Sequence, residues 1–258
     1  MTSFDLPPST ASGPGRTPRL RRTLAVGVAI AIGVLAFNAG AYLGRAKSKA
    51  PLEAPVSRAA PVSVATLPTV RLADFGRESP SPDARHLAHW IADSHDNAES
   101  DFVIIDKKFA KVYVFYADAR LHAASPVLIG SAVGDDSVAG IGSRPIAQVR
   151  PHERTTPAGR FIGERGRNSD GEDVVWVDYN AAVSMHRLRV TDSRERRRER
   201  LASPTADDNR ISFGCINVPA AFYDAYIRPT FARQRALVYV LPEIKPVQQV
   251  FGSYPVPS

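Results

Sequence analysis

A chain of 258 residues, 44% hydrophobic and 23% charged, has the makeup of a globular protein rather than a disordered one, and its length suits one folded domain with appendages. A single cysteine, Cys215, excludes an intramolecular disulfide and leaves a lone thiol whose neighbours must decide its use. The formal net charge of +7 selects no function, because scattered solvated arginines produce it as readily as a binding face does.

Residues 23–44 (TLAVGVAIAIGVLAFNAGAYLG) carry no charge and are mostly apolar, with Arg16, Arg19, Arg21 and Arg22 before them. About 20 apolar residues cross a bilayer as a helix, and flanking arginines favour an inside N-terminus. The expected layout is a cytoplasmic segment 1–22, a single transmembrane helix 23–44, and the rest of the chain outside the cytoplasm. Ala39-Gly40-Ala41 has the small-x-small form of a cleavage site, so a signal peptide remains the alternative. Arg21-Arg22 fits a twin-arginine signal poorly, and no cysteine follows to carry a lipid. Residues 45–80, rich in Ala, Pro, Ser and Val up to Pro68, read as an extended spacer.

Ser81-Pro82-Asp83 predicts a helix start, and Ala84, Leu87, Ala88, Ile91 and Ala92 continue it at helical spacing to about Ser94. His86 and His89 lie three apart on it without the glutamate of a zinc pattern, so no chemistry is assigned to them. Runs of β-branched and aromatic residues then predict strands at 102–105, 111–116, 127–129, 160–162, 174–177, 182–185 and 237–241. A helix is expected from Pro219 to about Ile227. The predicted fold is mainly β, a sandwich or distorted barrel with a few short helices, over residues 81–245, and 246–258 reads as a C-terminal tail.

The chemistry centres on Arg210-Ile211-Ser212-Phe213-Gly214-Cys215-Ile216-Asn217-Val218-Pro219. Glycine before the cysteine permits a tight backbone whose N–H groups can converge on a reacting oxygen, and a nearby helix N-terminus would favour the thiolate. His186, ending a strand returned by a hairpin at Asp178-Tyr179-Asn180, is the candidate base. A packed histidine beside an inert buried cysteine is the competing account of the same residues.

Ser212, Gly214, Cys215, Ile216 and Asn217, with His186 upstream, resemble the L,D-transpeptidase pattern of a histidine followed by Ser/Thr-x-Gly-Cys, an apolar residue and Asn or Arg. Thr156-Pro157-Ala158-Gly159-Arg160-Phe161 resembles the family's Thr-Pro-x-Gly-x-Phe turn, for which proline and glycine suit type I geometry. Val103-Ile104-Ile105-Asp106 and Val112-Tyr113-Val114-Phe115 resemble its first hairpin, so the likeness runs from about 101 to 241. It implies an L,D-transpeptidase-like fold and a thioacyl-enzyme on Cys215, formed from peptidoglycan tetrapeptide stems. His186 would be the base, the Ser212 carbonyl would orient its imidazole, and the Gly214 and Cys215 amides would receive the oxyanion. Asn217, Phe213, Arg187 and Arg210 would adjoin the substrate. Arg187 and Phe213 stand where the family often has glycine and histidine, and the stretch from His186 to Cys215 is longer than the common pattern.

That longer stretch contains Arg194, Arg196, Arg197, Arg198 and Arg200 alternating with Glu195 and Glu199, on a short helix predicted to start at Ser193. It reads either as a solvated helix held by its own Arg/Glu pairs or, within 187–211, as an arginine-rich lid that attracts the stem's carboxylates. No metal, organic cofactor or nucleic-acid partner is expected; the partners are stem peptides and the inner membrane, with the catalytic domain in the periplasm. The rival functions are a hydrolase on the same scaffold, either an L,D-carboxypeptidase or an enzyme releasing wall-linked proteins, and a catalytically silent wall-binding module.

Overall fold

The computed structural model describes residues 70–233 and 235–257. The expected anchor at 23–44 and its flanks lie outside them. Among the described residues no helix is long and apolar enough to cross a membrane.

Among the described residues ten strands follow one another: β1 Phe102–Asp106, β2 Lys111–Phe115, β3 Leu121–Pro126, β4 Ile129–Gly130, β5 Gly159–Arg167, β6 Asp173–Asp178, β7 Val183–Arg187, β8 Arg210–Ser212, β9 Ile216–Val218 and β10 Ala236–Val240. Eight form one sheet in the order β3-β2-β1-β10-β5-β6-β7-β9, antiparallel except at the β1–β10 and β7–β9 pairs. Leu128, just beyond β3, bridges Asn217 of β9, so the two edges of the sheet are drawn together into a distorted, nearly closed barrel. The mainly β expectation holds. β3 is a strand that composition hid, because LHAASP lacks the β-branched run of its neighbours.

β1 is buried along its whole length, which requires cover on both faces. Val103 and Ile105 join one core with Val112, Val114, Met185, Ile216, Val238 and residues of the helical stretch 220–233. Phe102 and Ile104 join a second core with Tyr113, Phe115, Leu237 and helix α1, Pro82–Ser94. The Ser81 hydroxyl caps α1 by accepting from the Ala84 amide at 3.0 Å, and the helix stops at His95 in the left-handed region, φ 56°. Leu87 and Ile91 are fully buried, and each contributes about 1.5–3 kcal/mol of hydrophobic stabilisation.

Packing extends past 81–245 at both ends. Ala73 and Phe75 belong to the second core, with the Phe75 ring edge-on to Phe115 at 5.2 Å. Val247 is buried in the same core, and Phe251 and Val256 pack against it, so the supposed tail closes the face that α1 covers. His89 is buried and accepts from the Ala73 amide at 3.1 Å. The predicted helix after Pro219 runs on to Arg233, as Ala220–Phe222, a π-helical turn Tyr223–Ile227 and Arg228–Arg233.

Candidate active site

β6 and β7 form the expected hairpin, and β7 then pairs in parallel with β9, setting Met185 beside Ile216 and His186 beside Asn217. Side chains alternate across a strand, so Ser184 and His186 share a side of β7 while Val183 and Met185 turn into the core. The same alternation sets Cys215 and Asn217 opposite the core residue Ile216. Two segments 29 residues apart in the chain thus converge through one short parallel ladder.

The Cys215 and His186 side chains are close enough for each to shift the other's protonation. The His186 Nδ1 lies 2.8 Å from the Arg187 carbonyl oxygen. A carbonyl only accepts, so Nδ1 carries the proton and Nε2 is left to face the thiol as an acceptor. Burial opposes charge on both groups, yet the imidazole, together with the Ser184 amide and hydroxyl, holds the Cys215 thiol below its ordinary pKa. Burial lowers the His186 pKa, and the facing sulfur outweighs this and raises it. Both directions favour a thiolate–imidazolium pair. Cys215 as a residue is half-buried.

A helix dipole contributes little here. β9, roughly 10 Å long at the rise of a strand, intervenes between Cys215 and the helix that starts at Ala220, whereas the dipole's influence fades within the first turn.

The turn carrying the cysteine is held from inside and from behind. Within it, the Ser212 hydroxyl donates to the Cys215 carbonyl at 2.6 Å and accepts from the Gly214 amide at 3.1 Å. Behind it, the buried Thr156 hydroxyl donates to the Gly214 carbonyl at 2.8 Å and accepts from the Gly130 amide at 2.9 Å. Gly214 sits at φ 130°, where a Cβ would meet the Thr155 carbonyl oxygen at 2.7 Å, so glycine is required both for conformation and for space. Across a trans peptide the carbonyl and amide point oppositely, so the Thr156 bond to the Gly214 carbonyl turns the Cys215 N–H away from Thr156. No acceptor takes that N–H among the described residues.

Several expected roles are corrected by this geometry. The Ser212 carbonyl accepts from the Ser131 amide at 2.9 Å and is not the orienter of the imidazole; the Arg187 carbonyl is. The Gly214 amide is bound to the Ser212 hydroxyl, which leaves Cys215 N–H as the free donor of the two. No turn is formed at Thr156–Ala158, which leads into β5 at Gly159; its polar groups bond outward, the Thr156 carbonyl to Lys107 and the Ala158 amide to Asp135.

Arg187 does not face the site: its guanidinium joins Asp173 at 2.8 Å and Asp224 at 2.6 Å and lies 4.3 Å over the Tyr223 ring, pinning the end of β7. Arg210 bonds to Glu243 and to the Lys107 carbonyl, in a buried charge network away from Cys215. Phe213, two residues before Cys215 in the chain, is exposed and stacked by Arg154 at 4.1 Å. Asn217 is buried, donates to the Cys215 carbonyl at 3.3 Å and accepts from Arg197 at 3.0 Å. Ser184, whose hydroxyl lies 3.6 Å from the Cys215 sulfur, escaped the sequence reading; its place two residues before His186 was the available signal.

The arginine-rich stretch is two pieces, a 3-10 turn Ser193–Glu195 and helix α2 Arg197–Ala202, broken at Arg196 with φ 50°. Arg197 pairs with Glu195 at 2.6 Å and reaches Asn217, so the stretch is tied beside the cysteine, while Arg194, Arg196 and Arg198 stay exposed. Among the described residues no group of three or more His, Cys, Asp or Glu side chains is placed to hold a metal. A cleft of about 430 Å³ lined by Pro82, Arg85, His86, His89 and Val256 shares no residue with the cysteine site.

No family model and no curated protein matches the chain. Among solved structures it is similar to a variant of the helical cell shape determining protein Pgp2 from Campylobacter jejuni, at 14% identity over 65% of this chain and 58% of that one, TM-score 0.39. It is similar to an L,D-transpeptidase from Xylanimonas cellulosilytica at 15% identity over 55% of this chain and 60% of that one, TM-score 0.33. The catalytic domain of the E. faecium L,D-transpeptidase gives 17% identity over 55% of this chain and 98% of that one, TM-score 0.31. The chain spans less than two thirds of the first two of these proteins. All three TM-scores lie below 0.5, and residue roles rest on the site itself.

Proposed function

We propose that this protein is a cysteine acyltransferase of the L,D-transpeptidase type, acting on peptidoglycan stem peptides through a thioester on Cys215. The observation that carries it is the Cys215–His186 pair, with Nδ1 locked on the Arg187 carbonyl and the thiol held below its ordinary pKa. The choice of stem peptides comes from the motif resemblance, Ser212-x-Gly214-Cys215-Ile216-Asn217 together with Thr156-Pro157-x-Gly159-x-Phe161. The proposal includes an inner-membrane tether at 23–44 that holds the domain in the periplasm.

His186 Nε2 takes the thiol proton, and the thiolate attacks the carbonyl that joins diaminopimelate to the terminal D-alanine. The Cys215 amide faces the developing oxyanion. The C–N bond then breaks, His186 returns its proton to the departing alanine amine, and a thioester remains. An acceptor amine attacks the thioester, gives up a proton to His186, and releases the thiolate with a new amide bond; water in its place would release a tripeptide. A silent module would need the imidazole turned from the thiol, and the Arg187 carbonyl that fixes Nδ1 counts against it.

The test is mass spectrometry of disaccharide-tetrapeptide incubated with the full chain. Cross-linked dimers with loss of alanine are expected. Tripeptide alone would make the protein a carboxypeptidase, and unchanged substrate with no adduct on Cys215 would overturn the proposal.

A further inference from the structure

The Cys215 sulfur stands between two groups of opposite preference. The Ala182 carbonyl oxygen, 3.5 Å away, can only accept, so it favours the protonated thiol. The Ser184 hydroxyl, 3.6 Å away, can donate. Ser184 is buried, and among the described residues the sulfur is the one partner recorded for its hydroxyl. A buried hydroxyl without a bond is costly, so this group is placed to serve the sulfur.

We propose that Ser184 is a catalytic residue of this site, its hydroxyl donating a hydrogen bond to the Cys215 thiolate and opposing the pull of the Ala182 carbonyl toward the neutral thiol. The inference rests on reading Cys215 as the nucleophile and adds a member to its machinery. No proton is transferred: the hydroxyl keeps its hydrogen while the His186 imidazole moves the thiol proton. The same bond stabilises the sulfur when it departs from the thioester, so both halves of the turnover pass through it. The ladder supports the assignment, since extending the register from Met185 and Ile216 back by one residue sets Ser184 directly beside Cys215. The charged groups bearing on the pair are the His186 imidazole and, acting on that imidazole, the Arg189 guanidinium; neither is altered by changing Ser184.

The test is the pH dependence of iodoacetamide alkylation of the full chain, with thiolate ultraviolet absorbance as a second readout. Ser184→Ala should raise the midpoint by about one pH unit, a tenfold loss of thiolate on the acid side. Ser184→Thr, which keeps the hydroxyl, should stay near the unsubstituted protein. A folded Ser184→Ala variant with an unchanged midpoint would overturn the proposal, since a merely structural serine would lower the melting temperature without moving the titration. If Ser184→Ala does not fold, Ser184→Thr and Ser184→Val carry the test, being alike in shape and different in the hydroxyl, and equal midpoints would overturn it. An ordinary cysteine midpoint in the unsubstituted protein, unmoved by His186→Gln, would sink the nucleophile reading itself.

Discussion

Two polar constellations lie under the surface of this protein, and they are built to different rules. Around Lys107 every valence is used: its ammonium donates to the Gly134 carbonyl at 2.6 Å, Asp135 at 2.9 Å and the Thr156 carbonyl at 3.0 Å. The Asp135 carboxylate also accepts from the amides of Glu243, Ile244 and Lys245, and Glu243 joins Arg210 and the Gly134 amide. Around Cys215 the supporting groups are just as well bonded, but the residue is half-buried and, among the described residues, no acceptor takes its amide. A saturated cluster of buried charge holds structure together, and a cluster whose supports are saturated while its centre stays open can do chemistry. Thr156 connects the two, with its carbonyl on Lys107 and its hydroxyl on the Gly214 carbonyl.

The largest effect expected is that of Cys215→Ala, which removes the open centre and leaves every support in place. Acylation by a carbapenem-type β-lactam, followed as a mass shift, should vanish while the melting temperature is kept; an adduct on the variant would place the nucleophile elsewhere.

His186→Gln should lower acylation at neutral pH by about 10²- to 10⁴-fold, the usual range for losing a general base. In the unsubstituted protein the depressed Cys215 pKa starts the rise of reactivity at lower pH than for a free thiol, and the raised His186 pKa keeps the imidazolium partner to higher pH. The rise in the variant should move to the range of an unassisted cysteine, about 8.5, so raising the pH restores part of the rate. A profile identical to the unsubstituted protein would remove His186 from the site.

Lys107→Met probes the saturated cluster. It leaves Asp135 and Glu243 buried short of a positive partner, and breaking such a pair costs about 3–5 kcal/mol, to be read from the denaturant midpoint. The Thr156 carbonyl also loses its donor, so Cys215 alkylation in the surviving folded protein should slow. A stable variant with normal thiol reactivity would separate the two constellations.

Acid titration tests the same cluster more gently. Burial pushes the Asp135 pKa up, but three backbone amides and Lys107 outweigh it and hold the pKa at about 2 rather than 3.8. A depressed folded pKa gives stability that is present above the unfolded value and lost as pH falls through the folded one. That amounts to about 2 kcal/mol disappearing between pH 4 and pH 2, and Asp135→Asn should flatten this part of the curve.

The smallest effect should come from replacing the exposed Arg194, Arg196 and Arg198 with glutamine. Stability should change by no more than about 0.5 kcal/mol. A drop in kcat/KM on a tetrapeptide at low salt that closes at high salt would show the stretch steering carboxylates, because exposed charges are screened over about 10 Å at 0.1 M. Salt-independent turnover would leave it a solvated helix.

Much of this was legible in the chain because it is local. The Ser81 cap, the hairpin at 178–180, the buried run of β1 and the Gly214-Cys215 pair each depend on a few neighbouring residues whose conformational preferences act at short range. What the chain could not show is where single polar groups point once distant strands meet. Arg187 and Arg210 looked like pocket residues by sequence proximity, yet carboxylates on β6, on the 220–233 helix and after β10 draw both guanidiniums away. The Ser212 carbonyl lost its assigned place because the Ser131 amide, 81 positions earlier, arrives first, and Ser184 gained one because the parallel β7–β9 register sets it against the sulfur. Hydrogen-bond direction is decided by which donor or acceptor lies within about 3 Å, and that is a property of tertiary packing rather than of sequence order.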